Sequence, residues 1–301
     1  KHFLGRFVAI GDALARLGGQ GLWDPEEQFF FDQLRHPDGT TLRLKAFSIV
    51  GLVPLFAARV TEAGLLEELP AFARHLEELA REHPSFFGPC QCFLSPNEHG
   101  QRLVALVDEH RLRPILDRVL DETRFLSPYG VRSLSRRHAD LEFPVDVDLG
   151  TRRVRVTYEP GEARTRIKGG NSNWRGPVWF PINYLLVQAL RQFGRYYGAA
   201  VSHELPAPDG SSFDVRQIAN EIARRLVSLY MPDANGLRPA LGSDPRWRDQ
   251  PGLQDRLLFF EYFHGETGRG LGASHQTGWT GLVANLIDEL HRPGRSGGAE
   301  R

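Results

Sequence analysis

The stretch from Gly170 to Tyr184 reads Gly-Asn-Ser-Asn-Trp-Arg-Gly-Pro-Val-Trp-Phe-Pro-Ile-Asn-Tyr, and it leads directly into an apolar segment at 185–197. Asn, Arg and the indole N–H all need hydrogen-bond partners when they are buried, so this mixture is unlike ordinary core. Part of it is typical of a helix start, because Ser172 or Asn173 can cap a helix and Pro177 suits its first turn. A helix start explains neither the two Trp nor the Arg, so the composition favours a binding site.

The chemistry of this stretch is typical of a carbohydrate site. Indole faces pack on the C–H faces of a pyranose, Asn and Arg bind its hydroxyls, and pockets combine aromatic walls with a few placed polar groups. The candidate substrate-binding residues of this stretch are Asn171, Asn173, Trp174, Arg175, Trp179 and Tyr184. Two alternatives stay open, since Arg175 can instead brace a carboxylate through its planar fork and Trp179 can instead be core.

Composition limits the possible functions. The chain has 301 residues, 41% of them hydrophobic and 25% charged, with a formal net charge of +0. The length suffices for a large core, and zero net charge argues against nucleic acid or an anionic membrane as the main partner. No apolar run reaches the roughly 18–20 residues of a membrane span and no signal peptide is visible, so we expect a cytoplasmic protein. The two cysteines, Cys90 and Cys92, form no zinc motif, and we expect neither a metal nor another cofactor.

Helical periodicity dominates the chain. Apolar residues at three- and four-residue steps predict helices at about 2–17, 48–60, 62–82, 109–122, 178–197, 214–231, 252–263 and 276–291. For the helix at 214–231, Asp214 is the predicted cap, and the predicted buried stripe is Ile218, Ile222, Leu226 and Leu229. Two hairpins are also predicted, one pairing 28–34 with 41–45 and one pairing 142–148 with 151–158. No strand alternates regularly with helices, so the sequence predicts an all-α toroid or bundle with small β-hairpin excursions.

A second dense segment at 259–281 places an acidic residue, Glu261, among aromatic side chains. Burial against aromatic rings raises the pKa of a carboxyl, which suits a general acid or base. Glu266 is the rival, because it lies close by in a turn flanked by glycine. The Gly-x-Gly-x-Gly pattern at 268–272 lacks the preceding strand and the Lys of a phosphate loop. His264 and His275 lack a third ligand at useful spacing, so a metal site is not predicted.

The same motifs recur together in a known family. They are 171–179 with Asn183-Tyr184, Glu261-Tyr262-Phe263 with Thr267-Gly268, Gln-Thr-Gly-Trp-Thr at 276–280, the acidic-aromatic segment 22–32, Gly-Leu-Val-Pro-Leu at 51–55 and Phe-Leu-Ser-Pro-Tyr-Gly-Val-Arg-Ser at 125–133. This set resembles glycoside hydrolase family 63, the family of processing α-glucosidase I and bacterial mannosylglycerate hydrolases, which is related in fold to trehalases. The resemblance covers about residues 1–291.

The resemblance implies an (α/α)6 toroid that hydrolyses α-glycosidic bonds with inversion, using an Asp acid and a Glu base. Glu261 matches the base, and Gln276, Trp279 and His275 join the substrate-binding residues around it. The acid of the family would lie before Lys1, so we expect the toroid to be incomplete at its N-terminus. We therefore expect 1–291 to be part of the catalytic domain, 292–301 to be a disordered tail, and the fragment alone to be inactive or nearly so.

Two other functions stay open. The first is a non-catalytic carbohydrate-binding module of the same fold, which would lack a second carboxylate facing Glu261. Asp24 and Asp32 are the acidic candidates, although both are expected to shape loops or to bind Arg43 and Lys45. The second is a sugar lyase or epimerase on a helical toroid, in which His275 and Tyr184 would carry the chemistry.

Overall fold

The computed structural model describes residues 2–88, 90–139, 145–148, 153–164, 174–204, 212–250, 252–253 and 256–292. Two candidate site residues, Asn171 and Asn173, lie outside the described residues, as does the 293–301 part of the expected tail. Within the described part of the chain, no helix is long and apolar enough to cross a membrane.

Helices form the larger part of the fold. They are α1 (His2–Arg16), α2 (Val53–Phe56), α3 (Leu65–Glu68), α4 (Pro70–Glu82), α5 (Pro84–Phe87), α6 (Gln91–Leu94), α7 (Glu109–Val119), α8 (Phe180–Tyr197), α9 (Val215–Ser228), α10 (Arg246–Asp249), α11 (Thr277–Thr280) and α12 (Val283–His291). The helix α9 begins as predicted: Asp214 accepts the Gln217 N–H, the Gln217 side chain bonds back to the Asp214 N–H, and Ile218, Ile222 and Leu226 form its buried stripe.

The strands are short and pair only in twos among the described residues. They are β1 (Trp23–Asp24), β2 (Phe29–Phe30), β3 (Asp32–Arg35), β4 (Thr41–Leu44), β5 (Ala58–Thr61), β6 (Arg102–Ala105), β7 (Leu126–Ser127), β8 (Gly130–Val131), β9 (Val145–Asp148), β10 (Arg153–Val156), β11 (Ser202–Glu204), β12 (Ser212–Asp214), β13 (Tyr262–Phe263) and β14 (Gly270–Leu271). Every pair is antiparallel, and β3–β4 and β9–β10 are the two predicted hairpins.

The fold is therefore a mixture of helices and small antiparallel sheets rather than all-α. A continuous core joins α7, α8, α9 and α12, and the rings of Phe29, Phe125 and Phe180 are fully buried in it. A separate cluster packs α1 against α4 and α5. The helix α8 follows directly from the Trp-Arg-Gly-Pro-Val-Trp motif, so the core holds that motif in place.

Two predicted helices are wrong. One is the helix predicted over 48–60, where the structure has a 3-10 turn at Ile49–Leu52, then α2, and then β5. The strand β5 forms because its β-branched residues Val60 and Thr61 meet a partner strand, β6. In the second, predicted over 252–263, the described residues 256–263 contain no helix and end in β13. There the backbone N–H of Phe263 donates to Val178 O at 2.9 Å, so a distant segment supplies bonds that a helix would have made locally.

Candidate active site

Three chain segments that are far apart in sequence lie side by side at the site. Arg132 forms a bridge with Val178, and Val178 forms a second bridge with Phe263. The Val178 N–H donates to Phe263 O at 2.8 Å, and the Phe263 N–H donates to Val178 O at 2.9 Å. This backbone ladder brings the two motif segments of the sequence, 174–184 and 259–281, into direct contact.

Aromatic rings fill the space between these two segments. Trp174 stacks on Trp179 with ring centroids 4.7 Å apart, and Trp179 stacks on Tyr262, also at 4.7 Å. Trp279 meets Trp179 edge to face at 6.3 Å. Trp179 is 6% exposed, so its faces are covered by protein, whereas Trp279 is 36% exposed. Trp179 thus has the environment of a core residue, while Trp174 and Trp279 form the edges of the stack.

Glu261 lies at the start of β13, and bonds to the backbone hold its segment. The Glu261 N–H donates to Ala273 O at 2.9 Å, the indole N–H of Trp279 donates to Glu261 O at 3.0 Å, and the Thr280 hydroxyl donates to Phe260 O. Glu261 is half-buried as a residue, and its Oε2 accepts the Ala273 N–H at 3.5 Å, the long end of the hydrogen-bond range. The backbone around Glu261 is therefore held by three shorter hydrogen bonds, and its carboxylate by one long one.

Glu266 has a different environment from Glu261. Its carboxylate accepts hydrogen bonds from the Tyr158 hydroxyl and, at 3.2 and 3.3 Å, from the guanidinium of Arg132, which is 2% exposed. Arg136 lies 3.9 Å away. Burial by itself raises the pKa of Glu266, but the Tyr158 and Arg132 hydrogen bonds and the two positive charges outweigh it, so the pKa is lowered. The positive charges of Arg132 and Arg136 therefore keep the Glu266 carboxylate ionised.

Arg175 is buried at 1% exposure, and its Nη2 lies 2.7 Å from Oε2 of Glu159. Glu159 also accepts the backbone N–H of Arg164 at 2.7 Å. Of the two roles that the sequence left open for Arg175, this geometry supports the bracing of a carboxylate. The arginine ties the motif segment to the loop that follows β10.

The other candidate residues surround the stack at different depths. Tyr184 lies one turn into α8, and its hydroxyl accepts a hydrogen bond from the Asn285 amide at 2.7 Å. His275 is exposed and forms a parallel bridge with Phe259. Gln276 is half-buried at the start of α11, and its backbone N–H donates to Phe259 O at 2.7 Å.

The loop after β10 contains site residues that sequence reasoning missed. Pro160 O accepts the Gly265 N–H at 2.8 Å, which places Tyr158, Glu159 and Glu162 beside the second motif segment. Burial raises the pKa of Tyr262 to about 12, and the negative charges of Glu162 and Glu261 add to that rise. The sequence signal for this loop is a glutamate on each side of Pro-Gly at 160–161. That pattern is typical of any exposed turn, so it does not point to an active site.

The Asp24 carboxylate forms ion pairs and accepts backbone hydrogen bonds that hold its own loop. It is 3% exposed, lies 3.1 Å from both Arg43 and Lys45, and accepts the backbone N–H groups of Glu26 and Glu27 at 3.0 Å. Burial acts to raise its pKa, but these hydrogen bonds and charges lower it to about 2. The predicted ion pairs with Arg43 and Lys45 thus belong to Asp24, whereas Asp32 begins β3 opposite Leu44.

His264 serves the turn beside Glu266. Its Nδ1 accepts the backbone N–H groups of Glu266 at 3.2 Å and Thr267 at 3.3 Å. Burial lowers the pKa of His264, and the nearby charge of Arg269 lowers it further.

Among the described residues, no group of three or more His, Cys, Asp or Glu could hold a metal ion.

Known proteins share these segments. A family model for the mannosylglycerate hydrolase MGH1-like glycoside hydrolase domain matches residues 102–280. A Saccharomyces cerevisiae protein named only as uncharacterized is 39% identical over 280 residues, which cover 90% of this chain and 25% of that protein. A Schizosaccharomyces pombe protein named as a "probable mannosyl-oligosaccharide glucosidase" is 28% identical over 60% of this chain and 16% of its own length.

A Saccharomyces cerevisiae mannosyl-oligosaccharide glucosidase is 26% identical over 59% of this chain and 15% of its own length. The chain thus spans about a quarter of the length of these relatives, or less. The family model covers the ladder, the aromatic stack and Glu261. The chain belongs to the MGH1-like glycoside hydrolases of glycoside hydrolase family 63.

Proposed function

We propose that this chain supplies the general base, Glu261, and the sugar-binding wall of an inverting α-glycosidase. The observation that carries the proposal is the contrast between two neighbouring glutamates. Glu261 is a half-buried residue beside Trp279 on a fixed backbone, whereas Glu266 forms an ion pair with Arg132 and accepts a hydrogen bond from Tyr158. A base must be free to accept a proton, and a carboxylate already bound to a buried arginine accepts one poorly.

In the proposed reaction, Glu261 activates a water molecule for attack on the anomeric carbon. One O–H bond of the water breaks as its proton moves to the Glu261 carboxylate, and the water oxygen forms the new C–O bond. The bond to the leaving group breaks as that oxygen takes a proton from a carboxylic acid on the opposite face of the sugar. In inverting enzymes the two carboxyl groups are roughly 6.5–9.5 Å apart, which leaves room for the water.

We place the general acid on an aspartate outside these 301 residues. Asp24 is held as an ion by Arg43 and Lys45, with a pKa of about 2, so it is a poor proton donor. The chain also corresponds to only 25% of the length of a relative that matches 90% of it. On this proposal the chain alone hydrolyses nothing or almost nothing, and its helices form part of an (α/α)6 toroid.

The sugar-binding wall in this proposal has two aromatic edges. The exposed indole of Trp279 and the half-buried indole of Trp174 are the candidate stacking surfaces, since Trp179 lies covered between its neighbours. Gln276 and His275 follow Glu261 on the same segment and are the candidate hydroxyl-binding residues. Asn171, Asn173 and Tyr184 remain candidates on the resemblance of their motif alone.

The names of the relatives suggest the substrates for a first test. We propose mannosylglycerate and a glucose-capped mannose oligosaccharide, offered to the full-length protein that carries this sequence. Proton NMR of the first product formed gives its anomeric configuration, and we expect a β-sugar from an α-linked substrate. Retention of configuration would refute the inverting mechanism. Binding of sugars without any hydrolysis would favour the carbohydrate-binding alternative.

A further inference from the structure

The turn at 272–273 lies against the side chain of Glu261. The two segments bond reciprocally, because the Glu261 N–H donates to Ala273 O at 2.9 Å and the Ala273 N–H donates to Glu261 Oε2 at 3.5 Å. The turn follows β14, in which Leu271 pairs with Tyr262 of β13. The position of the turn is therefore fixed by the same two-stranded sheet that holds Glu261.

Gly272 leaves no room for a side chain. A Cβ atom there would lie 2.7 Å from Oε2 of Glu261, 2.9 Å from Cε1 of Tyr262 and 3.0 Å from Cβ of Glu261. Carbon atoms do not approach oxygen or carbon this closely without displacement. Since Tyr262 is 4% exposed and stacked on Trp179, the part-exposed Glu261 carboxylate is the group with room to move.

We infer that Gly272 is a positioning residue for the base. Its missing side chain lets the Glu261 carboxylate rest against the turn, with Oε2 on the side of the Ala273 N–H. This inference rests on the proposed function of Glu261, although the contact itself does not.

A matched glycine separates this contact from backbone strain. Gly272 has φ +69° and Gly236 has φ +75°, so both adopt the left-handed conformation that disfavours alanine, but a Cβ at Gly236 meets nothing within 4 Å. Gly272→Ala and Gly236→Ala should therefore carry a similar strain penalty, and only Gly272→Ala should press on Glu261.

The first experiment measures kcat and KM of the full-length protein with each substitution. We expect Gly272→Ala to lower kcat by about a hundredfold, the loss typical of misplacing a reacting group by about 1 Å, with KM changed by less than about threefold. Gly236→Ala should leave both constants within about threefold of wild type. Equal kcat values for the two variants would overturn the inference. Gly272→Asn and Gly236→Asn repeat the comparison if alanine prevents folding, since Asn tolerates positive φ best among the other residues.

A second readout does not depend on activity. The ¹³C NMR signal of the Glu261 carboxyl carbon can be assigned by its disappearance in Glu261→Gln. We expect Gly272→Ala to move this signal and Gly236→Ala to leave it in place. An unmoved signal would refute the positioning contact, whatever the enzyme does. If Gly272→Ala moves the signal but Glu261→Gln still hydrolyses the substrate, the contact is real and the proposed function of Glu261 is refuted.

Discussion

The first prediction concerns how much the ion pair between Arg132 and Glu266 contributes to the stability of the fold around the site. The Arg132 guanidinium is 2% exposed and donates to the Tyr158 hydroxyl at 3.0 Å, to Glu122 O at 3.2 Å, to Leu126 O and to Glu266. Arg132→Met keeps an unbranched apolar stem and removes every one of these bonds. Breaking a buried ion pair from one side costs about 3–5 kcal/mol.

The part-exposed partner reduces that figure. The side chain of Glu266 is 32% exposed, so water replaces part of what it loses, and we expect a loss of about 2–4 kcal/mol in the free energy of unfolding. For a chain of this size the loss corresponds to a fall in Tm of about 3–6 °C, measurable by circular dichroism. The control is Arg136→Met, because Arg136 is 55% exposed and 3.9 Å from Glu266, and we expect it to cost less than about 0.5 kcal/mol.

The pH dependence supplies a second check on the same pair. The pKa of Glu266 is lowered in the fold, so the stability that its ionised form contributes is present above its unfolded pKa, near 4.5, and is lost as the pH falls through the folded value. The difference between wild type and Arg132→Met should therefore be constant above about pH 4.5 and shrink as the pH falls below it. Equal stability of Arg132→Met and Arg136→Met at pH 7 would refute this account of the network.

Three further predictions concern stability and sugar binding. Asp24→Asn should lower the free energy of unfolding in urea by about 1–2 kcal/mol at pH 7, and the loss should disappear as the pH falls from about 4 towards 2; an undiminished loss at low pH would contradict the ion-pair explanation. Trp179→Ala should cost about 3–5 kcal/mol in stability, whereas Trp279→Ala should cost about 1–2 kcal/mol and weaken sugar binding by about tenfold in calorimetric titration of the full-length protein. The reverse order would show that Trp179 is the stacking surface. Because the pKa of His264 is lowered, the stability from its neutral form should be present above about pH 6.5 and decline below it; His264→Gln should flatten that part of the urea-midpoint curve, and an unchanged curve would exclude His264 as the cause.

Local signals predicted the features that depend on neighbouring residues. The Asp214 cap, the stripe on α9 and the hairpin of β3 with β4 follow from side chains within a few positions of one another. A helix does follow the Trp-Arg-Gly-Pro-Val-Trp motif, but the predicted details of its start are wrong: Trp179 rather than Ser172 or Asn173 is the capping residue, and Pro181 rather than Pro177 lies in the first turn. The aromatic-acidic segment containing Glu261 contacts that motif through Tyr262 and Trp179, while its assignment to the active site stays a prediction.

Features that depend on distant partners were not predictable in the same way. The segment 252–263 has apolar residues at helical spacing, yet its described residues form no helix, and Phe263 at its end bonds to Val178 instead. Glu159 carries no motif that announces its ion pair with Arg175, and the covering of Trp179 depends on Tyr262, which lies 83 positions later in the chain. Such contacts join segments whose proximity is decided by the tertiary fold.

The most direct test of the central claim compares two neighbouring substitutions, Glu261→Gln and Glu266→Gln, in the full-length protein. We expect Glu261→Gln to lower kcat by about 10²–10⁴-fold with little change in KM, the range typical of losing a general base. Glu266→Gln should keep hydrolysis within about tenfold of wild type and mainly lower Tm. Activity of Glu261→Gln within about threefold of wild type, together with loss of activity in Glu266→Gln, would contradict the assignment of the base.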